Sequence, residues 1–188
     1  MVINTHDIIF DVTNMNEDTQ YTIDQIRDKV ILGNTFRVLK HLESEVFDLV
    51  FIDPPYNLQL PKKQLRRWSK TVVEGVNDDW DKFSSFQEYD EFITNLLNEI
   101  KRVLKPNGTV WIIGTYHNIF RIGKIMQDLG YWILNDVIWV KTNPMPNWLG
   151  VRFTNATETL IWAVKDKNVK IKTIPLIKNM QNSLVSVR

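Results

Sequence analysis

The chain has 188 residues, 44% of them hydrophobic and 24% charged, with a formal net charge of +1. That size suits one domain with a real core, the composition is that of a soluble globular protein, and the balanced charge confines any nucleic-acid signal to a local patch. The absence of cysteine excludes disulfides, thiolate nucleophiles and cysteine metal sites. His6, His41 and His117 are scattered without metal-ligand spacing, so no metal is expected. The N-terminus shows no basic region followed by an apolar core, and no apolar run approaches the ~20 residues of a spanning helix. The expected location is the cytoplasm, with no membrane partner.

Residues 1–28 are mixed and polar and read as an N-terminal extension, with DVTNMNEDTQ at 11–20 as surface loop. KVILG at 29–33 suits a short strand, and NTFRVLKHL, with Phe36, Leu39 and Leu42 at helical spacing, a short helix. Val46 to Ile52 is a strand whose adjacent apolar side chains predict cover on both faces, as in a parallel sheet. Residues 57–83 read as a long loop of the kind that is usually functional or mobile. Ser85 and Glu88 form a capping box, and Phe86, Tyr89, Phe92, Ile93, Leu96, Leu97, Ile100, Val103 and Leu104 repeat at steps of three and four. Pro106-Asn107-Gly108 ends that helix. TVWIIG at 109–114 is a buried strand, and His117 to Leu129 a weaker helix closed by Gly130. YWILNDVIWVK at 131–141 and ETLIWAVK at 158–165 are strands joined without a helical pattern, so they form an antiparallel pair. The alternation predicts a right-handed, doubly wound α/β arrangement.

In open α/β sheets, ligands bind beyond the carboxyl ends of the strands, and Asp53 stands at such an end. Both following prolines lack an N–H and hold φ near −65°, and Pro55 pushes Pro54 toward an extended conformation. The segment is therefore stiff and presents carbonyl oxygens at low entropic cost. A carboxylate beside a rigid carbonyl makes a pair of acceptors for an –NH₂ group, and Tyr56 adds a flat face for a ring. Together they suit an amino group on an aromatic heterocycle. Such an amine is a poor nucleophile because its lone pair is delocalised. Two acceptors draw the lone pair back onto nitrogen and stabilise the charge that develops as it attacks, an effect of about 3–4 kcal/mol for one well-placed group.

D-P-P-Y at the end of an apolar strand resembles the catalytic motif of amino-group DNA methyltransferases. VILGNTFRVLKHL is similar to the family segment that precedes the motif and contacts the cofactor's adenosine. Asn57 matches the usual DPPYN, and RVLKPNGTVWIIG resembles the helix–turn–strand that follows. NDVIWVKTNPMPN and ATETLIWAVK look like the last blocks of the subgroup in which DPPY comes first. The resemblance covers roughly residues 30–165. It implies a Rossmann-like fold and S-adenosylmethionine as cofactor. The implied substrate is DNA, methylated at adenine N6 or cytosine N4 on a flipped base. By the resemblance, Asp53, Pro54, Pro55 and Tyr56 are catalytic, Asn34, Thr35 and Asp53 serve the cofactor, and Asn57 braces the turn at the DNA side.

The same subgroup carries a target-recognition region and a Gly-rich F-x-G-x-G cofactor segment after these blocks. Neither is present here, and the seven glycines are dispersed. The expectation is a truncated or split enzyme: a catalytic half at 29–166, an atypical tail at 167–188, and a partial sheet. Strand 46–52 would then be an exposed apolar edge, covered by a complementary chain or by self-association. The rivals are a non-catalytic fragment or DNA-binding subunit, and an amino-methyltransferase acting on RNA or a protein amide.

Other features have two readings. Lys62, Lys63, Arg66, Arg67 and Lys70 around Trp68 are either a solvated basic loop or phosphate contacts with a stacking face, and their place directly after the motif favours the second. Asn34 either caps a helix or lines the adenosine pocket. Asp78, Asp79 and Asp81 around Trp80 are an acidic surface turn rather than a metal cluster. Trp111, Trp132, Trp139 and Trp162 lie within strands and read most simply as core.

Overall fold

The computed structural model describes residues 9–13, 20–58, 65–66, 72–73, 81–147 and 150–169. The chain opens with strand β1 (Ile9–Asp11), which runs parallel to β2 (Val30–Leu32) across helix α1 (Ile23–Ile26). This pairing corrects the loop expected over the first part of 11–20: the Val12 N–H donates to the Leu32 carbonyl at 3.0 Å, and its side chain is buried in the core. Residues 14–19 lie outside the described set.

Helix α2 (Thr35–Lys40) follows, and its first turn is capped by Asn34, whose side-chain oxygen accepts from Arg37 N. Six residues make a marginal helix, since so few intrahelical bonds offset the nucleation cost. Tertiary contacts supply the rest. The Arg102 guanidinium donates to the carbonyls of Leu39 (2.6 Å) and Leu42 (2.8 Å), placing positive charge at the helix's carboxyl end.

Strand β3 (Phe47–Ile52) leads to the motif. In the region expected to be an uninterrupted loop, β4 (Leu65–Arg66) and β5 (Val72–Val73) form an antiparallel pair. Helix α3 (Phe86–Val103) starts as predicted, with Ser85 accepting from Glu88 N at 3.1 Å. The reciprocal bond is displaced by one residue, because the Glu88 carboxylate takes the Ser84 N–H and hydroxyl instead. Strand β6 (Leu104–Gly114), helix α4 (Ile119–Asp128), β7 (Trp132–Val140) and β8 (Thr157–Val164) complete the described elements.

The main sheet has the order β3-β6-β8-β7, with β3 and β6 parallel and β8 antiparallel to both its neighbours. The closing pair is thus antiparallel, as its helix-free connection predicts. Pairing of β3 with β6 jumps from Phe47–Leu104 to Leu49–Thr109, so Pro106-Asn107-Gly108 bulges out of the ladder. Gly108 fits there because a Cβ would stand 2.9 Å from the Phe47 carbonyl oxygen.

One face of this sheet carries the core. Ile52, Val110, Ile112, Ile161 and Ala163 pack with Ile93, Leu97 and Ile100 of α3 and Ile122 and Met126 of α4. Each such fully buried Leu or Ile contributes about 1.5–3 kcal/mol. The other face corrects two expectations. Leu49 and Phe51 of β3 are 56% and 55% exposed, so the strand is covered on one face only, and the described helices do not wrap both sides. Trp132 and Trp139 are likewise more than half exposed and are not core, while Trp111 and Trp162 are partly buried and stack on each other at 5.3 Å. Among the described residues, no helix is long and apolar enough to cross a membrane.

Candidate active site at the carboxyl end of strand β3

Strand β3 delivers Asp53 to the sheet's carboxyl edge, and three separate elements then hold the turn that follows. From α3, the hydroxyl of fully buried Tyr89 donates to the Pro55 carbonyl at 2.8 Å. Asn118, at the start of α4, donates through Nδ2 to the same hydroxyl oxygen at 3.1 Å and accepts the Thr115 N–H at 2.9 Å. Gly114 makes room for this fold-back, since a Cβ there would lie 2.6 Å from Asn118 Oδ1. Burial pushes the Tyr89 phenol up to about 12, so it stays a donor.

The second hold comes from Asp81. Its carboxylate, 7% exposed, accepts the N–H groups of Asn57 (2.8 Å) and Leu58 (3.4 Å). Asn57 sits at φ +50, a left-handed conformation that Asn tolerates better than most residues. Asp81 is therefore an internal strut and not part of a surface turn; its position next to Asp78 and Asp79, which lie outside the described residues, disguises it.

The third hold is on Tyr56. Its hydroxyl donates to Glu158 Oε2 at 3.2 Å, and Lys141 Nζ pairs with Glu158 Oε1 at 2.8 Å. Burial chiefly, with the carboxylates of Asp53 and Glu158 adding to it, raises the phenol's pKa, so Asp53, Tyr56 and Glu158 stand together.

What the turn leaves open is as informative. Asp53 is exposed, and among the described residues no cation pairs with it and no donor reaches the Pro54 carbonyl. A negative acceptor without a countercharge, set beside an aromatic ring and the open apolar face of β3, fits a ligand that brings N–H donors or positive charge. A cleft of about 840 Å³ among the described residues lies elsewhere: Val46, Phe47, Asp48 and Lys105 place it at the opposite end of β3.

Of the other predicted site residues, Asn34 serves as helix cap and Thr35 is exposed at the start of α2. Arg66 contributes backbone to β4, and Lys62, Lys63, Arg67, Trp68 and Lys70 lie outside the described residues.

A family model for DNA methylases of the N6/N4 type matches residues 47–185, from the first residue of β3 onward. The chain belongs to the DNA methylase family. It is 49% identical over 148 residues to the type II methyltransferase M.HinfI of Haemophilus influenzae, covering 79% of this chain and 41% of that protein. It is 43% identical over 142 residues to the type II methyltransferase M2.DpnII of Streptococcus pneumoniae, covering 74% of this chain and 52% of that one. The chain thus spans about half the length of these relatives. Among solved structures it is similar to the cytosine-N4-specific PvuII DNA methyltransferase, at a TM-score of 0.51 and 13% identity over 90% of this chain and 65% of that one. That likeness agrees with the Rossmann-like methyltransferase fold: a mixed sheet with a parallel β3–β6 pair and a closing antiparallel pair.

The D-P-P-Y turn lies inside the span that the family model matches. The residues that hold the turn were hidden in the sequence. Tyr89 looks like one more apolar rung of α3, and Asn118 like a helix start. Glu158 was visible as a lone charge at the head of an apolar strand.

Proposed function

We propose that this protein is the catalytic half, residues 29–166, of a site-specific DNA amino-methyltransferase, acting on the exocyclic amine of a flipped adenine or cytosine. Adenine N6 is favoured by the subgroup that the motif order resembles. The observation that carries this reading is the division of labour in the turn. The Pro55 carbonyl is tied back to Tyr89, whereas among the described residues the exposed Asp53 carboxylate meets only the Tyr56 hydroxyl and no cation, and no donor reaches the Pro54 carbonyl. In this reading those two oxygens accept the hydrogens of the target –NH₂ and pull its lone pair onto nitrogen. The Tyr56 ring stacks on the base, Asn57 braces the turn, and Lys62, Lys63, Arg66, Arg67, Trp68 and Lys70 approach the DNA backbone. S-adenosylmethionine, held near Asp53, Asn34 and Thr35, supplies a methyl group on a sulfonium that needs no acid to activate it. The rigid turn holds the amine in line, which favours transfer further.

Incubating the protein with tritiated S-adenosylmethionine and separate pools of DNA, RNA and protein tests this. Label is expected in DNA alone. Label in RNA or protein instead would move the substrate class, and a chain that labels nothing while its longer form labels DNA would identify it as a non-catalytic part.

The open sheet face bears on the second outcome. Leu49, Phe51, Val137 and Trp139 are all at least 38% exposed, beside the stacked Trp111 and Trp162. An apolar surface of this kind is seldom left bare, and β3 stands at the sheet's edge. Further methyltransferase polypeptide or a second copy of the chain is proposed to cover it. By size-exclusion chromatography the 188-residue chain should elute larger than a monomer, and Phe51→Lys should shift it toward monomer. A dilute, well-behaved monomer without the substitution would refute cover by a second copy.

A further inference from the structure

The contacts of Tyr56 point past the motif itself. Glu158 lies on β8 and Lys141 directly follows the neighbouring strand β7, and the Lys141 N–H is fixed to the Ala156 carbonyl at 2.8 Å, so the backbone sets their pairing. The two side chains are 13% and 27% exposed. Withdrawing two charges from water carries a desolvation cost, and a largely buried pair returns little net stability for it. The carboxylate is divided evenly: one oxygen takes the ammonium and the other takes the Tyr56 hydroxyl. The hydroxyl oxygen lies on the ring's own Cβ–Cγ axis, so holding it fixes the direction in which the ring points from the backbone, that is, its χ1 rotamer.

We propose that Glu158 is a positioning residue that holds the Tyr56 ring in one χ1 rotamer beside Asp53, with Lys141 holding the Glu158 carboxylate in place. The proposal rests on the D-P-P-Y turn as the methyl-transfer site and adds a residue 102 positions away from Tyr56. Glu158 touches neither base nor cofactor in this scheme. It acts by removing side-chain rotamers that would swing the ring away from the base. Lys141 supplies the countercharge that keeps the carboxylate turned inward.

The test is a cycle of variants of this protein, with methyl transfer measured on unmethylated plasmid DNA. Glu158→Ala should lower kcat about tenfold or more and leave KM for S-adenosylmethionine near its starting value. Glu158→Gln keeps an oxygen for the hydroxyl and should recover most of that loss. In a Tyr56→Phe background, Glu158→Ala should cost nothing further. A full kcat in Glu158→Ala, or an equal loss in the Tyr56→Phe background, would overturn the proposal. An activity-independent measurement accompanies it: ¹⁹F NMR of protein labelled with 3-fluorotyrosine. The Tyr56 resonance, assigned by its loss in Tyr56→Phe, should shift or split in Glu158→Ala and Lys141→Met; an unmoved resonance overturns the proposal even where no turnover is measured. Asp53→Ala separates the two levels. If it remains active, the site reading itself fails, whereas an inactive Asp53→Ala beside a fully active Glu158→Ala removes only the role given to Glu158.

Discussion

Replacing Asp53 with alanine is expected to lower the rate of methyl transfer by at least ~10²–10³-fold, while DNA affinity and thermal stability stay close to wild type. The size follows from removing one preorganised acceptor aimed at developing charge. The selectivity follows from where the residue sits. Asp53 is exposed, and no cation among the described residues pairs with it, so folding loses little when its carboxylate goes. DNA affinity comes mainly from phosphate contacts, which lie outside the D-P-P-Y turn in this reading. Asp53→Asn gives a finer result. It keeps an acceptor oxygen and loses the charge, so its rate should fall between the other two. Initial rates with tritiated cofactor, a filter-binding titration with DNA and a thermal melt together check the prediction. Near wild-type turnover by Asp53→Ala would remove the site assignment.

Much of this arrangement is legible before any coordinates. The apolar run into Asp53 announces a strand end, and the three-and-four spacing from Phe86 to Val103 announces α3, because both are set by periodic burial. The antiparallel β7–β8 pair follows from a connection too irregular for a crossover helix. The failures share a cause. Periodicity says which face of an element is apolar and says nothing of whether that face finds cover. Trp139 and Phe51 are as apolar as core residues and yet lie open, on an edge strand and an uncovered sheet face. Periodicity also cannot separate a tyrosine that only fills space from one whose hydroxyl has a task. Asp81 fails differently: a carboxylate in an acidic run looks solvated, and only the fold shows that it accepts backbone N–H groups 24 residues back in the chain.

Tyr89 is where the core and the site become one problem, and two substitutions there should separate them. Tyr89→Ala removes a fully buried ring that meets Phe83 edge-on at 5.0 Å, and large-to-small changes of this kind cost about 3–5 kcal/mol. Against the roughly 5–15 kcal/mol of a typical domain, that loss should move the urea midpoint far enough to leave part of the protein unfolded in buffer. Tyr89→Phe keeps the ring and deletes only the hydroxyl. The Pro55 carbonyl then loses its donor and Asn118 Nδ2 its acceptor, in a place with little water to replace them. Stranding such groups costs about 1–3 kcal/mol, so the fold should survive with a lower midpoint. Turnover should fall by more than this stability change explains, because the freed Pro55 carbonyl lets the turn move relative to Asp53. Measuring kcat well below the unfolding midpoint, where all of the protein is folded, isolates that effect. If Tyr89→Phe matched wild type in both midpoint and kcat, the phenol would be packing alone, and the turn's rigidity would have to come from its prolines and Asp81.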